Sequence, residues 1–476
     1  MLKLSVPCFL ATLLIPVLAG AALEESDEPI DDPRDAWVSP DQIGGLYESE
    51  CAVCHGPHLE GAALGPSLLM DELLHGADIA SLVLSIADGY PDKAMPAWAS
   101  ALRADQIRSL AIFILEKRAT DTGDAGMGLG DPPVIPDSIQ SSEEHSFRFE
   151  SLTGEISNPY SIAPLPDGRV LLTEKAVGLS IVSADGKRKT LVTGTPKIYA
   201  DGHVRGATYT GNGWAHEVAL HPEYEENGWI YFSYGDRCDG CTAESQEKGE
   251  PAAMLALVRG RIVDGVWKDE ETIWKPARSA YVVGMENGIG ARIAFDNAGY
   301  VYLSVGNMRS DYSGIQDLDL PYGKILRLHD DGRIPEDNPF VGVAGALPEI
   351  WSYGHRNPQG LDFDPHTQRL WSSEHGPRGG DEANIIEAGR NYGWPLVSLG
   401  LDYDGAPISY GAKLGVDFDP EDLTSPVIDW TPSNGVSSIV FYRGAAFPRW
   451  QNNLLVATLK QNELLRVAVD ANAVLH

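Results

Sequence analysis

Cysteine is scarce, five residues in 476, which excludes a fold built on a disulfide framework. Basic residues are also few: 36 lysines and arginines face 68 aspartates and glutamates, and the net charge of −32 opposes binding to nucleic acid or to an anionic membrane. Beyond the first twenty or so residues no apolar run is long enough to span a bilayer. Residues 121–144, DTGDAGMGLGDPPVIPDSIQSSEE, lack any hydrophobic period and are rich in glycine, proline and acid, so they read as a linker. The chain is longer than one ordinary domain, and its 43% apolar content supports two sizeable cores, one on each side of that linker.

The beginning, MLKLSVPCFLATLLIPVLAGAALEESDEP, carries one lysine, a short apolar stretch broken by Pro7 and Pro16, and the small residues Ala19-Gly20-Ala21 before an acidic segment. This pattern predicts a signal peptide over residues 1–21, removed on export to the periplasm or the medium, with an uncleaved anchor as the other reading. After cleavage no membrane span is expected.

The most informative residues are Cys51-Ala52-Val53-Cys54-His55. Two thiols three apart followed at once by an imidazole predict covalent haem c, with both cysteines bonded to the haem vinyl groups and His55 as axial iron ligand. The flanks, IGGLYESECAVCHG, GPSL and KAMPAWASALRADQIRSLAIFILEKR, resemble a class I cytochrome c over residues 36–120, a small all-α domain. Its Met-Pro pair makes Met95 the expected sixth ligand; Met70 is the rival and is expected in the core. Cys8 falls in the signal segment, leaving Cys238-Asp239-Gly240-Cys241 as a small loop disulfide, or else a redox or metal-binding pair.

Beyond the linker, turn-to-strand units recur: PDGRVLLTE, HPEYEENGWIYFSYGD, FDNAGYVYLSVGN, FDPHTQRLWSSEHG and FPRWQNNLLVATLK. Five such units without helical period between them predict an all-β propeller over residues 145–476. GHRNPQG, SEHGPRGGDE and NYGWP, with DGRIPEDNPF and WTPS, resemble the soluble quinoprotein glucose/sorbosone dehydrogenase family. That resemblance implies six blades, the sixth incomplete in this chain, and pyrroloquinoline quinone (PQQ) bound with calcium near the axis. It also implies site residues. Arg356 and Asn357 would face the quinone oxygens, Lys460 a PQQ carboxylate, and Ser433 and Gly435 the ring plane, while Asn212 and His375 complete the cofactor set. The Gly376 and Pro377 carbonyls would hold one calcium, and Glu382 with the Tyr392 carbonyl a second.

Three departures qualify the resemblance. The family's base histidine, four residues before the arginine matching Arg292, falls on Gly288; its assisting aspartate falls on Asn307 and a PQQ-contacting glutamine on Asn212. Neither glycine nor a neutral amide accepts a proton near neutral pH. His216 is the expected substitute catalytic group beside Arg356, with His203 second. The sequence also stops where the family continues into an arginine-rich strand, which reads as a fragment of a longer coding sequence or a degenerate copy. The resulting expectation is an exported quinohaemoprotein that oxidises a sugar or alcohol and passes electrons through its own haem to a downstream redox protein. The alternative is a cytochrome fused to a catalytically silent propeller that binds carbohydrate or protein.

Overall fold

The computed structural model describes residues 42–469 except 71, 122–134, 155, 201, 206–207, 212, 284–287, 310, 409 and 461–462. The expected signal peptide and Asn212 lie outside the described residues.

The helical part comprises α1 (Gln42–Glu50), α2 (Ala52–His55), α3 (Ile79–Asp88) and α4 (Ala104–Asp121). Asp78 caps α3 by accepting from the Ser81 N–H at 2.9 Å, and α3 turns Leu82 and Ile86 inward against Ile43, Tyr47, Leu110, Phe113 and Ile114. Each such side chain contributes about 1.5–3 kcal/mol on burial. Gly89 ends α3 at φ +62°, and a Cβ there would lie 2.3 Å from the Pro96 carbonyl oxygen. Only glycine therefore allows the Met95–Pro96 segment to close on the helix end, where Tyr90 and Met95 exchange backbone hydrogen bonds of 2.9 and 3.1 Å.

The remainder is a β-propeller. Five antiparallel sheets span residues 159–191, 215–283, 290–353, 358–430 and 436–467. Their opening strands, Pro159–Pro164, Ala215–Leu220, Gly290–Phe295, Pro358–Phe363 and Val436–Phe441, pack in series, each against the next. Apolar layers fill the spaces between neighbouring sheets, for example Leu171, Val218 and Phe232 between the first pair and Trp371, Val436 and Phe441 between the last. The expected six blades are corrected to five among the described residues, the last sheet having three strands. The sequence itself shows five turn-to-strand units; the sixth came only from the resemblance.

Part of the expected linker is ordered. Gln140–Ser141 pairs with Ser146–Phe147, and this hairpin lies on the last sheet: Phe147 meets Trp450 edge-on at 5.7 Å and Glu143 pairs with Arg466 at 2.6 Å. Cys238 and Cys241 form a disulfide, with Cα atoms 5.8 Å apart, at the end of strand Ile230–Cys238. No described helix is long and apolar enough to cross a membrane.

Candidate functional site

The first site is a cavity of about 350 Å³ in the helical domain, walled by Tyr47, Leu82, Ile86, Trp98, Leu110 and Ile114 and bearing Cys51, Cys54, His55, Met70 and Met95. His55 Nδ1 lies 2.9 Å from the Pro66 carbonyl oxygen, which can only accept, so Nδ1 carries the proton and Nε2 keeps its lone pair. Tyr47 donates to the Gly56 carbonyl at 2.9 Å and fixes the turn that follows α2. Two free thiols, an imidazole oriented by a carbonyl and an apolar wall fit a haem bonded at both cysteines. Met95 is partly buried on this wall. Met70, expected in the core, is instead 53% exposed at the same cavity, because the segment after Pro66 runs along its rim.

The second site lies where the fourth sheet meets its neighbours. Its frame is a buried relay that the sequence reading missed. The ring of His355 bridges Ser352 Oγ (2.9 Å from Nε2) and Glu374 Oε1 (3.0 Å from Nδ1), while Glu374 also accepts from the Arg356 N–H at 2.8 Å and Asn384 Nδ2 at 3.1 Å. All four of these polar groups besides Arg356 are fully or almost fully buried, so the Ser-His-Glu array is a support rather than an open catalytic triad. It holds Arg356, whose Nη1 donates to the His375 carbonyl at 3.2 Å and Nη2 to Tyr403 Oη at 2.7 Å, with the guanidinium 5.3 Å from the Trp394 ring.

A second carboxylate absent from the sequence reading, Asp381, ties the remaining candidates together. Its Oδ1 accepts from the Gly376 N–H at 3.0 Å, and its Oδ2 from Ser433 Oγ and the Gly435 and Val436 N–H groups at 2.7, 2.7 and 3.0 Å. Lys460 joins this loop through its backbone, N–H to the Asn434 carbonyl at 3.2 Å, and its half-buried ammonium forms no ion pair among the described residues. Arg356 Nε and His375 Nε2 are buried without a hydrogen-bond partner among the described residues. Burial, only partly offset by Asp381, lowers the His375 pKa. Cationic groups, an unsatisfied N–H on Arg356, a buried unpartnered nitrogen on His375 and close-approach glycine loops together suit an anionic, planar ligand.

Asn357 is 5% exposed, and its Oδ1 accepts from the Gly290 N–H at 3.2 Å and Gln359 Nε2 at 2.8 Å, joining it to the third sheet. There Arg292 pairs with Glu217 at 2.5 Å and stacks 4.3 Å from the Tyr160 ring. His216 meets Tyr160 edge-on at 5.0 Å, with no exposed surface, and its pKa is lowered well below the usual value by burial and by Lys175 and Arg292. Strand placement thus brings His216 to the same sheet junction as Gly290 and Asn357. Beside Gly288 stands Asn307, whose Oδ1 would be 2.2 Å from any Cβ at position 288. His203 lies on a described strand, Gly202–Arg205.

The calcium donors are less converged. Gly376 and Pro377 lie on the turn that Asp381 holds. Strand register sets Glu382 opposite both Glu374 and Asp429, and burial with repulsion from Glu374, Asp429 and Asp381 pushes the Glu382 pKa well up. Tyr392 stacks on His355 at 4.7 Å. Among the described residues no three histidine, cysteine, aspartate or glutamate side chains converge on one metal position.

Comparison with known proteins agrees with this two-part arrangement. Residues 39–114 match the family of cbb3-type cytochrome c oxidase subunit III, and cytochrome c55X of Paracoccus denitrificans is 33% identical over 104 residues, 22% of this chain and 91% of that protein. The aldose sugar dehydrogenase YliI of Escherichia coli is 35% identical over 330 residues, covering 69% of this chain and 82% of its own. The quinoprotein glucose dehydrogenase B of Acinetobacter calcoaceticus is 27% identical, covering 71% and 81%. The crystal structure of the soluble aldose sugar dehydrogenase from E. coli superposes with a TM-score of 0.58 at 32% identity, over 69% of this chain and 87% of that one. With residues 156–476 matching the glucose/sorbosone dehydrogenase model, the chain belongs to that family and carries a cytochrome c domain ahead of it.

Proposed function

We propose that this protein is an exported dehydrogenase that oxidises a sugar or alcohol with PQQ and delivers the electrons to its own haem c. The observation that carries the proposal is the loop set that Asp381 holds through Gly376, Ser433 and Gly435, with Arg356 bonded to the His375 carbonyl, Lys460 bonded to the Asn434 carbonyl, and Arg356 Nε and His375 Nε2 buried without a partner among the described residues. Bound PQQ would supply a two-electron acceptor, and haem a one-electron relay. Arg356 places a fixed positive charge where negative charge develops, and the His355–Glu374 frame prevents it from reorienting. Lys460 supplies a point charge for a carboxylate.

His216 is the proposed proton acceptor. Its imidazole stays neutral and is wholly buried against the edge of the Tyr160 ring, at the junction of the second and third sheets. Calcium is proposed at the Gly376–Pro377 turn and beside Glu382, where a divalent cation would relieve the repulsion between Glu382 and three neighbouring carboxylates. The names of the relatives favour an aldose as substrate. A downstream redox protein accepts the electron outside.

The test starts from oxidised protein loaded with PQQ and calcium under anaerobic conditions. Haem absorbance is followed while sugars and alcohols are added. PQQ-dependent haem reduction is expected with at least one aldose. A preparation that binds PQQ and is reduced by dithionite, yet by no substrate, would overturn the proposal in favour of a silent binding propeller.

A further inference from the structure

Helix α4 is apolar around its whole middle. Ile107, Leu110, Ala111, Ile112, Phe113 and Ile114 are all buried, and a helix apolar all round must be covered all round. The cytochrome core covers five of them; Ile112, at 0% exposure, lies outside that cluster. One turn to either side of Ile112 stand Arg108 and Glu116, and both reach the propeller. Glu116 Oε2 pairs with Arg378, 2.8 Å to Nη2 and 3.0 Å to Nε, each side chain 19% exposed. Arg108 Nη2 donates to the Leu399 carbonyl at 2.9 Å and lies 3.6 Å from Asp429. Gln42 of α1 donates to the Asp404 carbonyl at 2.9 Å and to its carboxylate at 3.1 Å.

Arg378 follows His375-Gly376-Pro377 directly and exchanges backbone hydrogen bonds of 2.8 and 3.1 Å with Leu401. The opposite side of α4, Leu110 and Ile114, lines the haem cavity. One helix, about 10 Å across, thus stands between that cavity and the 375–381 turn.

We propose that α4 is a fixed docking face through which the propeller passes electrons to the haem, with Glu116 and Arg378 as its positioning pair, so that transfer requires no swing of the cytochrome on its linker. This rests on the dehydrogenase reading above. Two electrons leave the substrate per turnover, so the haem iron is reduced from ferric to ferrous twice, and an external one-electron acceptor reoxidises it between the two steps.

The experiment compares the full haem-containing protein with Glu116→Arg, Arg378→Glu and the double exchange. Amide hydrogen exchange at Arg378, Leu401 and residues 108–116 reads docking without turnover. It is expected to accelerate in both single variants and to recover in the double. Haem reduction after one addition of sugar to the PQQ-loaded protein is expected to slow roughly tenfold or more in Glu116→Arg, since like charges then face each other. Dye-linked sugar oxidation, which bypasses the haem, is expected to stay unchanged in that variant, and the double exchange to restore haem reduction. Unchanged hydrogen exchange in the single variants would refute the docking face, and faster exchange with unchanged haem reduction would refute the electron route. If wild-type protein oxidises no sugar even with dye, the dehydrogenase reading fails and hydrogen exchange alone still decides the docking face.

Discussion

Replacing Asp381 by asparagine tests whether one carboxylate organises the propeller site. The acid is 1% exposed and accepts four hydrogen bonds, three of them at Oδ2. An asparagine keeps one acceptor oxygen. If that oxygen serves Ser433, Gly435 and Val436, the new NH₂ confronts the Gly376 N–H, and two donors face each other in a buried place. Losing one charge-assisted bond and weakening three others costs about 3–5 kcal/mol, since a hydrogen bond to a charged group contributes about 1.5–3 kcal/mol. Removing the charge also relieves Glu382 and Asp429, whose pKa values Asp381 helps to raise, which returns roughly 1 kcal/mol. A net destabilisation of about 2–4 kcal/mol is expected in urea unfolding followed by tryptophan fluorescence, together with weaker PQQ binding. Ser433→Ala, which removes one charge-assisted bond and leaves Asp381 three donors, is expected to cost about 1.5 kcal/mol, the lower end of that range. The reasoning is refuted if Asp381→Asn proves no more costly than Ser433→Ala.

Other outcomes follow from the same structure. Lys324 is wholly buried, its Nζ donating to the Ile315 and Tyr322 carbonyls at 2.7 and 2.6 Å, and burial lowers its pKa to about 7. The unfolded chain therefore holds a proton that the folded one sheds, so this residue's contribution to stability rises between pH 7 and 9 by up to about 1.4 kcal/mol per unit; a Lys324→Met variant that shows the same slope in urea titrations would contradict this. Calcium at a hundredfold excess over its dissociation constant is expected to add about 2.7 kcal/mol of stability, and Glu382→Gln to abolish most of that gain in thermal melts. Met95→Ala is expected to lower the haem potential and change the iron spin state seen by absorption, whereas Met70→Ala leaves both unchanged; the reverse result would make Met70 the ligand.

The haem site was legible because Cys51, Cys54 and His55 must be adjacent in sequence to reach one porphyrin, so the covalent chemistry leaves a local mark. The propeller was legible through its turns, each of which announces its strand. Asp381 and the His355–Glu374 pair were not legible, because their partners are backbone N–H groups and side chains up to 55 residues away, and no periodicity records such bonds. Their one signal was their place beside Arg356 and within the GGDE run. Residues 140–144 of this hairpin were read as linker because they are polar and acidic; what orders the hairpin is Phe447, Trp450 and Arg466, 300 or more residues later. The carboxylate repulsion at Glu382 likewise becomes visible only when strand register sets Glu374 and Asp429 on either side.

The contact between Gly288 and Asn307 bears on how this site changes by mutation. A histidine installed at 288 alone drives its Cβ to within 2.2 Å of Asn307 Oδ1, so the side chain at 307, only 6% exposed, has to swing away first. Asn307→Asp alone places a buried negative charge beside a glycine that has no side chain to pair with it. Aspartate is as large as asparagine, so pairing the two changes keeps the same close approach, and space has to be made at 307 before a Cβ is accepted at 288. A laboratory lineage selected for faster sugar oxidation is thus expected to accept a smaller residue at 307 before any base appears at 288, and the order in which the two changes are fixed becomes a property written into the fold.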